Sequence, residues 1–336
     1  INVDYYTAIS GDTYEIQSEG DVVAFVFGDY FTDLVLMKST DGGDTWTKTL
    51  IYETPYSPWD INNMYVTDTF FCSDGTHALA IDNEGMVHVA FGINWTYSDG
   101  STSYWYSDVD GLGYWNESRP IFSNTHNALS PYGDEGTEMV EDYSLVGWAQ
   151  DIDGDGELTW TDDFASYETG FTSQPTIHVD DQGRIFLLYA SLTETFSNGI
   201  QNFRHIWGRS AVNNGEWWGP HTDLTADLVH IFDECVFPSM SHTSDDYLYM
   251  VYQFDEEPGM ALRGDEDDHT ENTISFMKIP KEDLISGIAD KPAITEVDVA
   301  QNQPNPFSTT STVFVNLREA SELSMEVTNM MGQVVY

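Results

Sequence analysis

Residues 151–162 carry carboxylates at a spacing that suits a hard cation. Counting from the first residue, positions 1, 3, 5 and 12 are Asp151, Asp153, Asp155 and Asp162. Gly156 supplies a sharp turn, Glu157 offers its backbone carbonyl, and Thr159 would act through water. Because calcium takes about six to eight oxygen ligands and this spacing turns alternate side chains inward, the loop predicts a calcium site. The alternative is a solvated acidic turn without a metal.

The loop resembles the calcium loops of EF-hand and dockerin proteins, with two departures. Its last carboxylate belongs to Asp162 instead of a glutamate, and the flanking residues 143–148 and 158–160 have the character of strands, not helices. The resemblance implies calcium as the cofactor. The flanks predict that the ion acts as a structural staple within a β fold and not as a conformational sensor.

The elements that position this loop come from an internal repeat of a turn followed by a strand with alternating apolar residues. Residues 81–91 and 179–189 match position for position, and fainter copies begin at Gly20 and Asp246. The turns therefore fall at Gly20, Gly85, Gly183 and Asp246. A long period filled with short strands is typical of propeller blades. We predict an all-β chain whose turns occupy equivalent places around one axis.

The blade count depends on residues 138–170, where the spacing between turns is longest. Four very short strands there would form an extra blade; a hairpin excursion from a neighbouring blade is the alternative. The first interpretation gives five blades, with the last one closed by a strand from the N-terminus, and six remains an alternative. We assign residues 1–290 to the β-propeller. Trp115 and Trp217 or Trp218 are expected to wedge between blades.

Residues 39–46, Ser-Thr-Asp-Gly-Gly-Asp-Thr-Trp, predict a tight hairpin turn. Ser39 and Asp41 can bond loop amides, Gly43 can take a positive φ, and Trp46 can cover apolar space. The octapeptide resembles the Asp-box of sialidase-like BNR-repeat propellers. That resemblance implies a structural role for these four residues.

The C-terminal residues 291–336 differ in character from the rest of the chain. Pro304, Asn305, Pro306 and Phe307 precede the alternating strand 313–317 and a second strand at 323–327. This stretch resembles the start of the C-terminal sorting domain of type IX secretion cargo. The resemblance implies a small Ig-like β-sandwich, export to the extracellular space or outer cell surface, and the secretion machinery or a surface-attachment partner as its partner.

Composition excludes two classes of partner. With 57 acidic residues against 11 basic ones, the formal charge of -46 repels nucleic acids and anionic membranes. The apolar runs are too short to cross a bilayer, so membrane insertion is not expected. The charge suits a saline or calcium-rich medium. Cys72 and Cys235 could form a disulfide or remain two buried thiols.

Two functions remain open. The first is a structural or adhesive surface protein stabilised by calcium, which could bind glycans or assemble with itself. The alternative is a glycoside hydrolase of sialidase-like fold, but the chain has only six arginines with which to build a carboxylate-binding cluster. We assign no catalytic residues and lean towards a non-enzyme. A glycosidase using only a pair of carboxylates remains open, and such a pair in the propeller's central funnel would favour it.

Overall fold

A computed structural model describes residues 13–161, 164, 167–227, 230–260, 271–285, 297–299 and 315–317. The chain divides into two compact units, Ile1–Ile288 and Ala289–Tyr336. In the described residues of the first unit, nearly all secondary structure is antiparallel strand.

Four sheets follow one another along the first unit. The first pairs β1 (Tyr14–Glu19), β2 (Val22–Phe27), β3 (Leu34–Ser39) and β4 (Thr47–Tyr52) in that order. The second contains β5 (Phe70–Ile81), β6 (Val87–Ser98), β7 (Ser103–Tyr106), β8 (Leu112–Asn116) and β9 (Leu145–Gly147), in the order β5-β6-β8-β9 with β7 also on β6. The third contains β10 (Thr172–Val179), β11 (Ile185–Ser197), β12 (Asn202–Val212), β13 (Trp217–Trp218) and β14 (Thr222–Asp223), with β13 and β14 both on β12. The fourth pairs β15 (Glu234–Met240), β16 (Tyr247–Asp255) and β17 (Thr273–Pro280), and the helix α1 (Lys281–Ile285) follows.

The sheets form a propeller-like ring of four blades. The first strand of each blade is its inner strand, and β1, β5, β10 and β15 contact one another in chain order. A hydrogen bond of 2.8 Å between Gln17 Nε2 and His242 Nδ1 joins the fourth blade to the first. Residues from all four inner strands or the turns after them line one cavity of about 800 Å³.

The repeat predicted from the sequence is confirmed. Gly20, Gly85, Gly183 and Asp246 each lie between the first and second strands of a blade. The three glycines have φ values of 58°, 81° and 72°, which a side chain would strain. The second strands that follow two of these turns, β6 and β11, are buried over most of their length.

The predicted count of five blades is not confirmed. Among the described residues between 138 and 170, β9 is the only strand, and it pairs with β8 as the outer strand of the second blade. This agrees with the alternative of an excursion from a neighbouring blade. The segment has too little apolar alternation to build four strands, and much of it is exposed loop.

The core consists of three apolar clusters, one between each successive pair of blades. Trp115 lies in the cluster between the first and second blades, and Trp218 lies between the second and third. Both rings therefore wedge between blades, as predicted. Cys72 and Cys235 are buried free thiols in different clusters, so they form no disulfide.

Three inner strands carry a β-bulge near the end at which they begin. The register shifts between Ser73 and His77 in β5, between Ser173 and Thr176 in β10, and between Val236 and Ser239 in β15. Each bulge contains a residue with positive φ: Gly75 at 89°, Gln174 at 54° and Phe237 at 53°. We call this end of the ring, where the inner strands begin, the top mouth.

The second unit is described only by β18 (Val297–Val299) and β19 (Val315–Leu317), which pair antiparallel. Most residues on which the expected sorting module depends lie outside the described part of the chain. The domain assignment therefore stays a prediction. In the described part of the chain, no helix has the length and apolar character to span a bilayer.

Candidate functional site

The predicted calcium loop brings two of its carboxylates together with a third from another blade. One oxygen each of Asp151, Asp153 and Glu194 lies within 4.8 Å of the others. Asp155 and Glu157 are exposed and outside this group, and Asp162 lies outside the described residues. The structure thus gathers part of the predicted ligand set.

The loop is wound by its own side chains. Asp151 accepts hydrogen bonds from the amides of Gly154 and Gly156, at 2.6 and 2.9 Å. Asp153 accepts from the amide of Asp155 at 3.1 Å, and Asp155 accepts from that of Glu157 at 2.9 Å. These turns explain the spacing seen in the sequence, because each short acidic side chain bonds an amide further along the chain.

Glu194 is the residue that sequence reasoning missed. It lies on β11 and is fully buried. Its Oε2 accepts from the amide of Ile152 at 2.9 Å, and its Oε1 accepts from the amide of Thr159 at 2.7 Å. Burying a carboxylate costs free energy of folding unless the carboxylate accepts hydrogen bonds or coordinates a metal. Its oxygens and those of the two aspartates form an oxygen-only donor set, which fits calcium.

The hairpin at residues 39–46 is held by the side chains expected to do so. Ser39 Oγ accepts from the amide of Gly43 at 2.9 Å, and Asp41 Oδ1 accepts from that of Thr45 at 2.8 Å. The bonds from Thr45 and Ser39 lower the pKa of Asp41 to about 2. Trp46 donates to the carbonyl of Gly43, meets the Phe25 ring edge-on and stays 39% exposed. These hydrogen bonds all lie within the turn itself.

A second group of carboxylates lies at the top mouth, contributed by successive blades. Asp29 follows β2, Asp74 lies in the bulge of β5, and Glu168 precedes β10. Asp29 and Asp74 are 8% and 5% exposed. Asp29 Oδ1 lies against the bulge that carries Asp74, since a Cβ on Gly75 would come within 3.3 Å of that oxygen. The sequence could not single out these carboxyl groups among 57 acidic residues.

The two aspartates differ in their partners. Asp74 accepts four hydrogen bonds: from the amide and hydroxyl of Thr76, from the Ser173 hydroxyl and from the Gly170 amide. Among the described residues, Asp29 accepts one hydrogen bond through its carboxyl group, from the Tyr30 amide at 2.7 Å. Burial, together with the charges of Asp74 and Glu168, raises the pKa of Asp29 to about 7. Asp74 is therefore held in place, while Asp29 is a carboxyl group ready to exchange a proton near neutrality.

An exposed tryptophan stacks on Tyr30, the residue that follows Asp29. Trp105, on β7, is 43% exposed, and its ring stacks on that of Tyr30 with centroids 5.3 Å apart. The Tyr30 hydroxyl donates to the backbone carbonyl of Glu168 at 2.8 Å. The tyrosine thus links the indole to the backbone of Glu168 and, through its own amide, to the carboxyl group of Asp29.

The hairpin of β6 and β7 that carries Trp105 is stiffened by a row of stacked rings on its other face. Trp95 faces Tyr106 at 4.2 Å, and Tyr97 faces Tyr104 at 5.0 Å. Asp108 accepts from Trp95 Nε1, and Asp99 accepts from the Tyr104 hydroxyl. Cross-strand aromatic pairs stabilise a hairpin, so Trp105 is presented on a rigid support.

The cavity at the opposite end of the ring contains basic residues whose charges are already balanced. Arg184 donates through Nε and Nη2 to Asp180 Oδ2, and Lys281 Nζ donates to the same oxygen at 3.1 Å. His178 Nε2 bonds the Ser244 hydroxyl at 2.7 Å. This network fixes the ends of the inner strands to α1.

The described arginines form no cluster that could grip a substrate carboxylate. Arg204 and Arg209 are buried and paired with Glu234 and Asp142. Arg119 bonds backbone carbonyls, including that of Gly215 at 2.7 Å. Arg184 is paired with Asp180, so all four described arginines bond groups of the protein itself. This disfavours a site of sialidase type, in which arginines bind the carboxylate of the substrate.

No family model matches the chain, and no curated protein matches it. Solved structures give weak matches. A PL25 ulvan lyase bound to an oligosaccharide is 9% identical with a TM-score of 0.38, covering 80% of this chain and 52% of the lyase. A GH43 endo-arabinanase from Bacillus licheniformis is 13% identical with a TM-score of 0.36, covering 97% of both chains. This chain spans about half the length of the lyase, and likeness at these TM-scores carries no functional argument.

Proposed function

We propose that the protein binds uncharged glycans at the top mouth of its propeller-like ring and acts as an adhesive protein outside the cell. The observation that carries this proposal is the exposed Trp105 ring, supported by Tyr30 beside buried carboxyl groups. Sugar rings present apolar C–H faces that pack on aromatic rings, and their hydroxyls donate to carboxylates. Both kinds of group meet at this mouth.

The charge of the site defines the class of glycan. Asp29, Asp74 and Glu168 surround the mouth, and the whole chain carries a formal charge of -46. This field repels uronates and sulfated sugars. Neutral polysaccharides such as arabinan or β-glucan meet no such repulsion.

Calcium and export belong to the same proposal. Calcium held by Asp151, Asp153 and Glu194 would tie the loop at 151–162 to the third blade, beside the start of β10. Export by type IX secretion, an extracellular location and attachment at the cell surface rest on the likeness of residues 291–336 to a sorting domain. The Asp-box interpretation of residues 39–46 rests on its sequence and turn geometry.

Calorimetric titration with soluble neutral polysaccharides and with a polyuronate tests the proposed binding. We expect binding of at least one neutral polymer, little binding of the polyuronate, and an affinity about tenfold lower for Trp105→Ala, since about 1.4 kcal/mol of lost stacking is a factor of ten. Trp46→Ala is the matched control, because Trp46 is similarly exposed but lies on the Asp-box-like turn. Equal binding by wild type and Trp105→Ala would overturn the proposal.

A further inference from the structure

The top mouth contains buried polar atoms that lack partners. Asn94 is fully buried, and its Oδ1 has no hydrogen-bond partner among the described residues. Gln174, 7% exposed in the bulge next to Ser173, has an unpartnered Nε2. Buried polar groups are nearly always hydrogen-bonded. A buried polar atom without a protein partner therefore indicates a place for a bound water or a ligand hydroxyl. These atoms lie around the same carboxylates as Tyr30 and Trp105.

Asn94 and Tyr30 also fix the third carboxylate residue. Both donate to the backbone carbonyl of Glu168, from Nδ2 at 3.1 Å and from the hydroxyl at 2.8 Å. Glu168 has a φ of 60°, a conformation that is strained for a residue with a side chain. Its side chain is half-buried. The mouth therefore holds two carboxyl groups of different character, Asp29 and Glu168, beside the indole proposed to bind sugar.

We propose that the top mouth is a glycosidase site in which Asp29 is the general acid and Glu168 the general base, acting on the glycan packed against Trp105. The activity rests on the proposed glycan binding. Asp74, whose oxygens are occupied by four donors, is a positioning residue that fixes the bulge next to Asp29. Hydrolysis by two carboxyl groups requires no arginine cluster.

The reaction consumes one water for each glycosidic bond that it breaks. The Asp29 proton passes to the glycosidic oxygen while the bond from that oxygen to the anomeric carbon breaks, and the leaving sugar departs as an alcohol. A water adds its oxygen to the anomeric carbon and gives its proton to the Glu168 carboxylate. Glu168 then releases this proton to solvent, and Asp29 regains one.

The ionisable groups around Asp29 determine the pH dependence. Asp74 and Cys72 face it from β5, Glu168 from the segment before β10, and Tyr30 from its own loop. Burial and the two neighbouring carboxylates raise the pKa of Asp29 to about 7. A general acid must be protonated, so hydrolysis should fall as pH rises through about 7.

The test uses the full chain with calcium and two substrates: a neutral polysaccharide that the protein binds and a set of 2,4-dinitrophenyl glycosides. Asp29→Asn should lower kcat/KM on the polysaccharide by about 10²–10⁴-fold, the usual contribution of a general acid. It should keep activity on the dinitrophenyl glycosides, whose leaving group needs no proton, and keep polysaccharide binding. The alkaline fall in activity should disappear in Asp29→Asn and move to lower pH in Asp74→Asn.

Asp180→Asn is the matched control, because Asp180 is also a buried carboxyl group but lies at the opposite end of the ring. It should leave hydrolysis unchanged. If Asp29→Asn fails to fold, the wild-type pH profile and Glu168→Gln provide the test: the absence of an alkaline limb near pH 7 or full activity in Glu168→Gln contradicts the proposal. Equal losses on both substrates in a folded Asp29→Asn overturn the acid role. Binding without any hydrolysis by the wild type overturns the activity and leaves the proposed function standing, whereas absence of binding removes both.

Discussion

At the scale of single residues, a buried carboxylate distinguishes a ligand site from a solvated acidic turn. Glu194 bonds the amides of Ile152 and Thr159 and brings its oxygens close to Asp151 and Asp153. The sequence revealed the loop through its local spacing. It could not reveal Glu194, which joins the loop only because the chain folds β11 beneath it.

Replacing this glutamate should remove the effect of calcium on stability. In the wild type, calcium should raise the melting temperature, because a ligand that binds only the folded state stabilises it. Glu194→Gln should abolish most of that rise, whereas Glu157→Gln, which keeps the backbone carbonyl and alters an exposed side chain, should preserve it. Differential scanning calorimetry with excess calcium or chelator measures both. Identical calcium shifts in the two variants would rule out Glu194 as a ligand.

At the scale of elements, the inner strands follow the predicted repeat, but their bulges position the site. The turns at Gly20, Gly85 and Gly183 could be predicted because glycine and alternating apolar residues leave a local signature. A bulge depends on how two strands pair. The placement of Asp74 and Gln174 at the mouth therefore could not be predicted from the sequence. The blade count failed for the same reason, since β9 belongs to the second blade through its pairing with β8.

Gly75→Ala tests the bulge in β5. Gly75 has a φ of 89°, and an added Cβ would lie 3.1 Å from Thr13 Cγ2 and 3.3 Å from Asp29 Oδ1. Gly42→Ala is the control, because Gly42 also has a positive φ but open space around it. We expect both to destabilise the protein by about 1 kcal/mol through backbone strain, and Gly75→Ala to cost about 1–3 kcal/mol more through crowding. Urea unfolding measures the difference, and equal losses would show that the bulge tolerates a side chain.

At the scale of the whole molecule, the charge of -46 is a permanent cost of folding that the medium can relieve. Burial is the first cause that raises the pKa of several described carboxyl groups, among them Asp29 and Glu234 to about 7 and Asp110 to about 6. These groups bind more protons in the folded than in the unfolded chain between their ordinary range near 4 and those values. Burial lowers the pKa of His77, His178 and His221, which opposes this trend below about pH 6.5. Near pH 7, acid and salt should therefore both stabilise the folded chain.

We expect the free energy of unfolding to fall as pH rises from about 6.5 to 7.5, where Asp29 and Glu234 lose their protons, and to rise with sodium chloride concentration at neutral pH. The measurement is urea unfolding in the presence of chelator, so that calcium binding does not contribute. Asp29→Asn should flatten part of this pH dependence. Stability that grows as pH rises through about 7 without calcium, or that is indifferent to salt, would contradict this account of the charge.

The position of a bound sugar tests the central claim most directly. A crystal structure of the full chain with a neutral oligosaccharide that it binds should show a sugar ring packed on Trp105, with its hydroxyls or glycosidic oxygen next to Asp29 at the top mouth. A sugar seated instead in the cavity at the opposite end, among Asp180, Arg184 and Lys281, or on the outer surface of a blade, would contradict it.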